Sequence, residues 1–240
     1  MDSIVKGLVI RASEYKESDK LLTLLTLEKG KIVVKARGVK KQTSKLKPYC
    51  QSFCFADFEL ADSHGTYVLT GVNLIDSFFD LTTDFDKFSY ACAVLEILDK
   101  VCVESEKYEP HFIAALKTLK VINYSSIDPR LVLSKFMLDI LHLEGFAFNI
   151  DECAHCEEKL SGNIYIDFAT GELVCDNCKT PDSFLLEKSV YSTIKILSNA
   201  TYDNLSTIKI SKNILDKTVD VLSKNLSIKF DIRLNSLKLR

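Results

Sequence analysis

Eight cysteines occur in this chain, and four of them form two matched pairs, Cys153-Ala-His-Cys156 and Cys175-Asp-Asn-Cys178, with eighteen residues between the pairs. This fits the zinc-ribbon pattern of two C-x2-C pairs about 15–20 residues apart. Each short pair turns two thiolates toward one point, and two such knuckles complete a tetrahedron with Zn–S bonds of about 2.3 Å. Four thiolate ligands leave no position for water or substrate. The reading is therefore one structural Zn2+ per chain, held by Cys153, Cys156, Cys175 and Cys178. A catalytic metal would need one sulfur displaced, with His155 as the nearest substitute. A thioredoxin-like redox role is weaker, because two pairs at ribbon spacing explain each other. Cys50, Cys54, Cys92 and Cys102 read as small buried hydrophobes, and Cys50-x3-Cys54 lacks a matching second pair.

A second kind of chemistry is electrostatic. The net charge of −2 hides an asymmetry: residues 1–48 carry twelve Lys/Arg against five Asp/Glu, and the remainder carries nineteen against twenty-eight. Residues 29–47, KGKIVVKARGVKKQTSKLK, hold eight cations and no acid. The bland interpretation is a solvated loop kept soluble by lysine. The sharper one is a groove that tracks phosphates, releases counterions and binds nucleic acid with a steep salt dependence. Its candidate contacts are Lys35, Arg37, Lys40, Lys41, Lys45 and Lys47, with Arg11 a further one. Single-strand binders add aromatics on which bases stack. Tyr15, Tyr49, Phe53 and Phe55 lie nearby in sequence, although the alternation in FCFADF suits a barrel core better.

Enzyme signatures are missing. There is no phosphate-binding G-x4-G-K-[ST], no G-x-G-x-x-G, no H-E-x-x-H and no G-x-S-x-G. The four histidines, at 64, 111, 142 and 155, form no triad-like grouping, and His142 with Glu144 reads as surface or helix end.

These residues need elements to hold them. Ile4–Ala12, Leu21–Leu27, Ile32–Val39, Phe53–Ala61 and Thr66–Leu74 are short runs rich in aliphatic, Thr and aromatic residues, separated by turn-like pieces that include Asp62–Gly65. Five short strands in about eighty residues suit a closed OB-like barrel, which leaves no open sheet edge. After Asp80 the apolar period becomes helical, with Thr83 or Asp84 as an N-cap for the first helix. Further helices are read near 112–121, at 131–141 with a stop at Gly145, and at 185–197 and 214–226. The expected fold is α+β: a barrel at 1–80, then a helical domain at 81–240 with a zinc-ribbon insert at 151–181. With 240 residues and 47% hydrophobic content the chain can bury a real core. No stretch of about 18 apolar residues marks a transmembrane helix. With no signal-peptide pattern at the N-terminus, a cytoplasmic, reducing setting without disulfides is expected.

The order of parts is similar to that of the bacterial RecO recombination mediators. The residues that carry the resemblance are Gly7-Leu8-Val9-Ile10, Tyr15-Lys16-Glu17-Ser18-Asp19-Lys20-Leu21-Leu22, Leu24–Gly30, Ala36-Arg37-Gly38-Val39-Lys40-Lys41 with Ser44, and Gly171–Cys178. Departures are Glu157 after the first knuckle, Phe136–Leu141 on the third helix, and Phe148. The resemblance implies a non-enzymatic factor of DNA repair and homologous recombination, cytoplasmic and nucleoid-associated. Such a factor binds single- and double-stranded DNA and the single-strand-binding protein, anneals complementary strands, and works with RecR to load RecA. Alternatives of other classes are a protein–protein adaptor that does not bind DNA and a metal-dependent hydrolase.

Overall fold

The computed structural model describes residues 2–63 and 65–239; His64, in the expected Asp62–Gly65 turn, lies outside them. Its first part is a five-stranded closed barrel: β1 (Asp2–Tyr15), β2 (Asp19–Thr26), β3 (Gly30–Ala36), β4 (Phe55–Ser63) and β5 (Thr66–Asp76), arranged β1-β2-β3-β5-β4. All ladders are antiparallel except β3–β5, which closes the barrel through the short parallel register Val34↔Tyr67 and Lys35↔Val68. Strand alternation explains the interior. Ile32, Val34 and Ala36 of β3 meet Leu22 and Leu24 of β2 and Ala56, Phe58 and Leu60 of β4 in one core, and the intervening side chains face outward.

Leu8, Val9 and Ile10 are all buried, which breaks that alternation. The register of β1 shifts between Val9 and Arg11, so the strand bends there. Val9 enters the barrel core, and α1 (Phe85–Val101) packs on β1 from outside. Of the two expected caps, Asp84 is the one used: its carboxylate accepts from the Lys87 N–H at 3.1 Å. α2 (Glu109–Tyr124) follows. Phe53 and Phe55 make edge-to-face contacts with Phe88 of α1 and Phe112 of α2 at centroid distances of 5.7 and 6.0 Å. The chain divides into two compact units, one reaching Asn123 and the other beginning at Tyr124; α1 and nearly all of α2 belong with the barrel.

In the second unit α3 (Pro129–Leu143) packs on α4 (Lys188–Ser198) and α5 (Lys212–Phe230). Between α3 and α4 lies a small sheet of β6 (Ile164–Asp167), β7 (Glu172–Cys175) and β8 (Ser183–Leu186), in the order β7-β6-β8. The helix expected from Leu185 starts instead at Lys188. Ser183–Leu186 pairs with β6, with Leu185 opposite Tyr165, and so supplies a third strand beyond Pro181. A four-residue apolar run fits either period, and the open edge of the β6–β7 hairpin decides it. The hairpin tip leans on α5: Asn225 donates to the Gly171 carbonyl at 2.7 Å, and Lys229 pairs with Glu172 at 2.5 Å.

Candidate metal centre and nucleic-acid interface

The β6–β7 hairpin, in the register Ile164↔Cys175, carries Cys175 to the Cys153–Cys156 knuckle. One sulfur from each of Cys153, Cys156, Cys175 and Cys178 lies within 4.8 Å of every other. Cys156 Sγ and Cys175 Sγ are 3.8 Å apart, which is the edge of a tetrahedron, about 3.8 Å, expected from Zn–S bonds of about 2.3 Å. The backbone supports negative sulfur as well, since the N–H groups of Cys175 and His155 point to Cys153 Sγ at 3.4 and 3.5 Å. Burial pushes the Cys153 thiol up, but these N–H groups and that of Cys156 outweigh it and bring it down to about 6. Cys178 is pushed up to about 12, chiefly by hydrogen bonds to the sulfurs of Cys156 and Cys175. All four sulfurs bind a cation only as thiolates, so metal uptake must release protons. The four cysteines can hold a metal ion, and the donor set suits a soft, tetrahedral one. His155 is not in the cluster.

The other four cysteines lie outside this cluster. Cys50 and Cys54 belong to the barrel core, where burial pushes their thiols up to about 11 and about 12. Cys102 is also buried, and burial raises half-buried Cys92 to about 11.

The cationic run spans β3 and the segment after it. That segment is a string of tight turns, with Lys41 N–H to Gly38 O at 3.2 Å, Ser44 N–H to Lys41 O at 3.1 Å and Tyr49 N–H to Leu46 O at 3.0 Å. Val39 and Cys50 anchor it in the barrel core. At its start the Gly38 N–H donates to Asp19 Oδ1 at 2.8 Å, and the Lys40 N–H donates to the Ser18 carbonyl at 3.0 Å, which ties it to the β1–β2 turn. The Gly38 bond, with help from Ser18, Lys16 and Arg37, holds the Asp19 carboxyl below the usual carboxylate range.

The candidate cations are not equivalent. Arg37, Lys41, Lys45 and Lys47 are exposed, and Lys35 is half-buried on the outer face of β3. Lys40 forms an ion pair with Glu14, whose carboxyl is lowered chiefly by that contact. Arg11 sits apart: its guanidinium lies 3.4 Å from Asp99 Oδ2 and from Thr23 Oγ1, beside α1. Lys31, inside the run, is buried and points its ammonium at the end of α1.

Phe53 and Phe55 are buried under the helices, so they fill the core. Tyr67, which the strand pattern gave no reason to single out, packs against the barrel core and lines, with Tyr15 and Lys35, a groove of about 350 Å3 beside β3. A larger apolar cavity of about 700 Å3 lies between β1, the segment before β4, and α1; Arg11, Phe53, Phe79 and Phe88 are among its walls. Among the described residues no helix is long and apolar enough to cross a membrane.

Comparisons with known proteins agree with this arrangement. A family model described as "Recombination protein O N terminal" matches residues 1–78, and one described as "Recombination protein O C terminal" matches residues 82–238. The chain is 29% identical over 233 residues to a protein of Clostridium perfringens strain 13 named "DNA repair protein RecO", covering 97% of this chain and 95% of the relative. A Clostridium novyi protein of the same name is 28% identical over 235 residues, covering 98% and 91%. One from Caldicellulosiruptor saccharolyticus is 27% identical over 209 residues, covering 87% and 85%.

Proposed function

The chain belongs to the RecO family of DNA-repair and recombination proteins, and from that premise we propose that it is a non-enzymatic mediator that binds single- and double-stranded DNA through its barrel. The observation that carries this reading is the cationic face: Lys35 on β3, then Arg37, Lys41, Lys45 and Lys47 on an ordered, core-anchored segment. An anchored segment presents these charges at fixed spacing, so less conformational entropy is lost on meeting a phosphate backbone. Neutralising phosphates on two strands removes most of their repulsion, and this lets complementary strands anneal without any catalytic group. The four-cysteine cluster holds one structural Zn2+ that braces the ribbon against α5. The family premise further supports partners in RecR, the single-strand-binding protein and, through them, RecA, in a cytoplasmic, nucleoid-associated setting.

The test is a titration of single- and double-stranded oligonucleotides at two salt concentrations, with the wild type and with Lys40→Glu combined with Lys41→Glu. The expected result is nanomolar-to-micromolar binding with a steep salt slope, weakened and flattened by the charge reversal. Affinity and slope that survive the reversal would show that this segment is not the site.

A second reading is a protein–protein adaptor that leaves DNA alone. Exposed Phe79 and Phe85, with the 700 Å3 apolar cavity, favour it. It predicts no measurable nucleic-acid binding at about 0.1 M salt, where long-range attraction is largely screened.

A further inference from the structure

The apolar cavity of about 700 Å3 between β1, the segment before β4, and α1 is not used by the DNA-binding reading. All of its lining residues belong to the unit that ends at Asn123. It opens to solvent beside β5 and α1, where the wall residues Leu74, Phe79 and Phe88 are exposed, Phe79 by 67%. Phe85 lies one turn before Phe88 on the same side of α1, and its ring is 68% exposed. Neither Phe79 nor Phe85 belongs to the barrel core. A contiguous apolar patch of this kind on a folded chain marks an interaction site.

Backbone strain points to the same place. Among the described residues, Phe53 and Phe78 are the two aromatics in left-handed backbone, with φ of +73° and +46°. Phe53 is on the cavity wall, and Phe78 sits between the wall residues Ser77 and Phe79. A bulky residue holds such a conformation only where its surroundings impose it, and these positions cluster at functional sites. At Phe78 the kink buries one ring completely and leaves the next, Phe79, facing solvent.

The charges around this opening are unbalanced. Two of the cations on the wall are already paired, Arg11 with Asp99 and Lys100 with Glu96. The exposed cation Lys47 precedes Pro48, on the wall formed by the segment before β4. At the opening, Asp80, Asp84 and Asp86 are exposed and alternate with Phe79, Phe85 and Phe88 in the run FDLTTDFDKF. Lys87, inside that run, donates to the Asn123 carbonyl at 3.2 Å. Among the described residues none of the three aspartates has an ion-pair partner. Apolar anchors beside unpaired carboxylates suit a segment of the converse pattern, apolar on one face and cationic along its margin. A second copy docked symmetrically by this face would bring two acidic margins together. Nucleic acid would meet the same negative charge.

We infer that this cavity and its acidic, phenylalanine-rich opening form a docking site for a cationic amphipathic segment of a partner protein. Large apolar side chains of that segment fill the cavity and cover Phe79 and Phe85, while its Lys or Arg residues pair with Asp80, Asp84 and Asp86. The inference stands whether or not the barrel binds DNA.

The experiment measures, by fluorescence anisotropy, binding of two designed helical peptides of about 18 residues to the full chain. One carries Leu and Phe at i, i+3, i+4 and i+7 spacing with Lys on the remaining face, and its twin has Glu in place of every Lys. The Lys peptide should bind about tenfold tighter than the Glu peptide, since like charge at the margin excludes the wrong partner. Phe79→Ala combined with Phe85→Ala should weaken it about tenfold, as the loss of aromatic anchors does. Asp80→Asn combined with Asp86→Asn should weaken it less and flatten its salt dependence. All four side chains are exposed, so thermal melting of both variants should match the wild type. Equal affinity for the two peptides, or wild-type affinity in both variants, overturns the inference. In cells, the photocrosslinker p-benzoylphenylalanine in place of Phe79 identifies the natural occupant. Crosslinks to a Lys- or Arg-rich apolar segment of another protein support the site. Crosslinks only to a second copy of the chain, to nucleic acid, to an acidic segment or to nothing overturn it.

Discussion

Lys31 Nζ lies 3.0 Å from Asp99 Oδ1 and donates to the carbonyls of Asp99 and Cys102, so a lysine of the barrel caps the last turn of α1. The carbonyls at a helix C-terminus are unsatisfied and carry partial negative charge, which an ammonium answers on both counts. One of the eight cations in the run is thus a structural fastener. Lys31→Met should lower stability by about 1–2 kcal/mol, through the lost cap on the α1 carbonyls and one of the two cations on Asp99, which keeps Arg11, and should leave the salt slope of DNA binding unchanged. Chemical denaturation and a salt titration check the two halves.

The ion pair of Lys40 with Glu14 sets a carboxylate against a candidate phosphate contact. Glu14→Gln should release Lys40, raise single-strand affinity and steepen the log–log salt slope by up to about one unit. A slope that does not move would show that Lys40 takes no part.

Cys175→Ser should remove the metal. Elemental analysis is expected to give one zinc per chain for the wild type and less than a tenth of that, roughly, for the variant, with a lower melting temperature for the unit that begins at Tyr124. Retention of full metal would show that the ligand set is wrong.

Asp128 caps α3 through the Arg130 N–H at 3.0 Å and pairs with the Arg130 guanidinium at 2.7 Å. Burial alone would raise the Asp128 carboxyl, but Arg130 outweighs it and holds the group below its ordinary value. A carboxyl depressed in the folded state adds stability above its unfolded value, near 3.8, and that stability is lost as pH falls through the folded value. Asp128→Ala should cost about 1–2 kcal/mol near neutral pH through the lost cap and pair. The difference from wild type should shrink toward pH 2–3, as roughly expected when the native carboxyl is protonated too.

Gly30 has φ +66°, and a Cβ there would overlap the Glu106 carbonyl oxygen. Gly30→Ala should destabilise the barrel unit by about 2–4 kcal/mol, combining left-handed strain with a backbone clash. Thermal unfolding that stays within a degree of wild type would contradict this.

Local pattern carried much of the fold. All five barrel strands and a helix cap at Thr83 or Asp84 follow from period, capping and turn chemistry, which act over a few residues. The four clustered cysteines were equally legible, because a C-x2-C knuckle is a local geometry and two of them at ribbon spacing have few other uses. Strand β8 was not legible, because an apolar four-residue run takes its form from the neighbour it meets.

The cationic segment divides the same way. Its composition by itself determined that residues 29–47 carry a strong positive field, since charge is a property of residue type. Only the tertiary structure decided what each charge does: Lys31 is spent on α1, Lys40 is shared with Glu14, and Arg37, Lys41, Lys45 and Lys47 are left facing solvent. The same holds for Tyr15 and Tyr67, fifty-two positions apart in the chain and unrelated by any local spacing. Barrel closure through β3 and β5 brings them to one groove, and closure is a long-range pairing that no short stretch of sequence encodes.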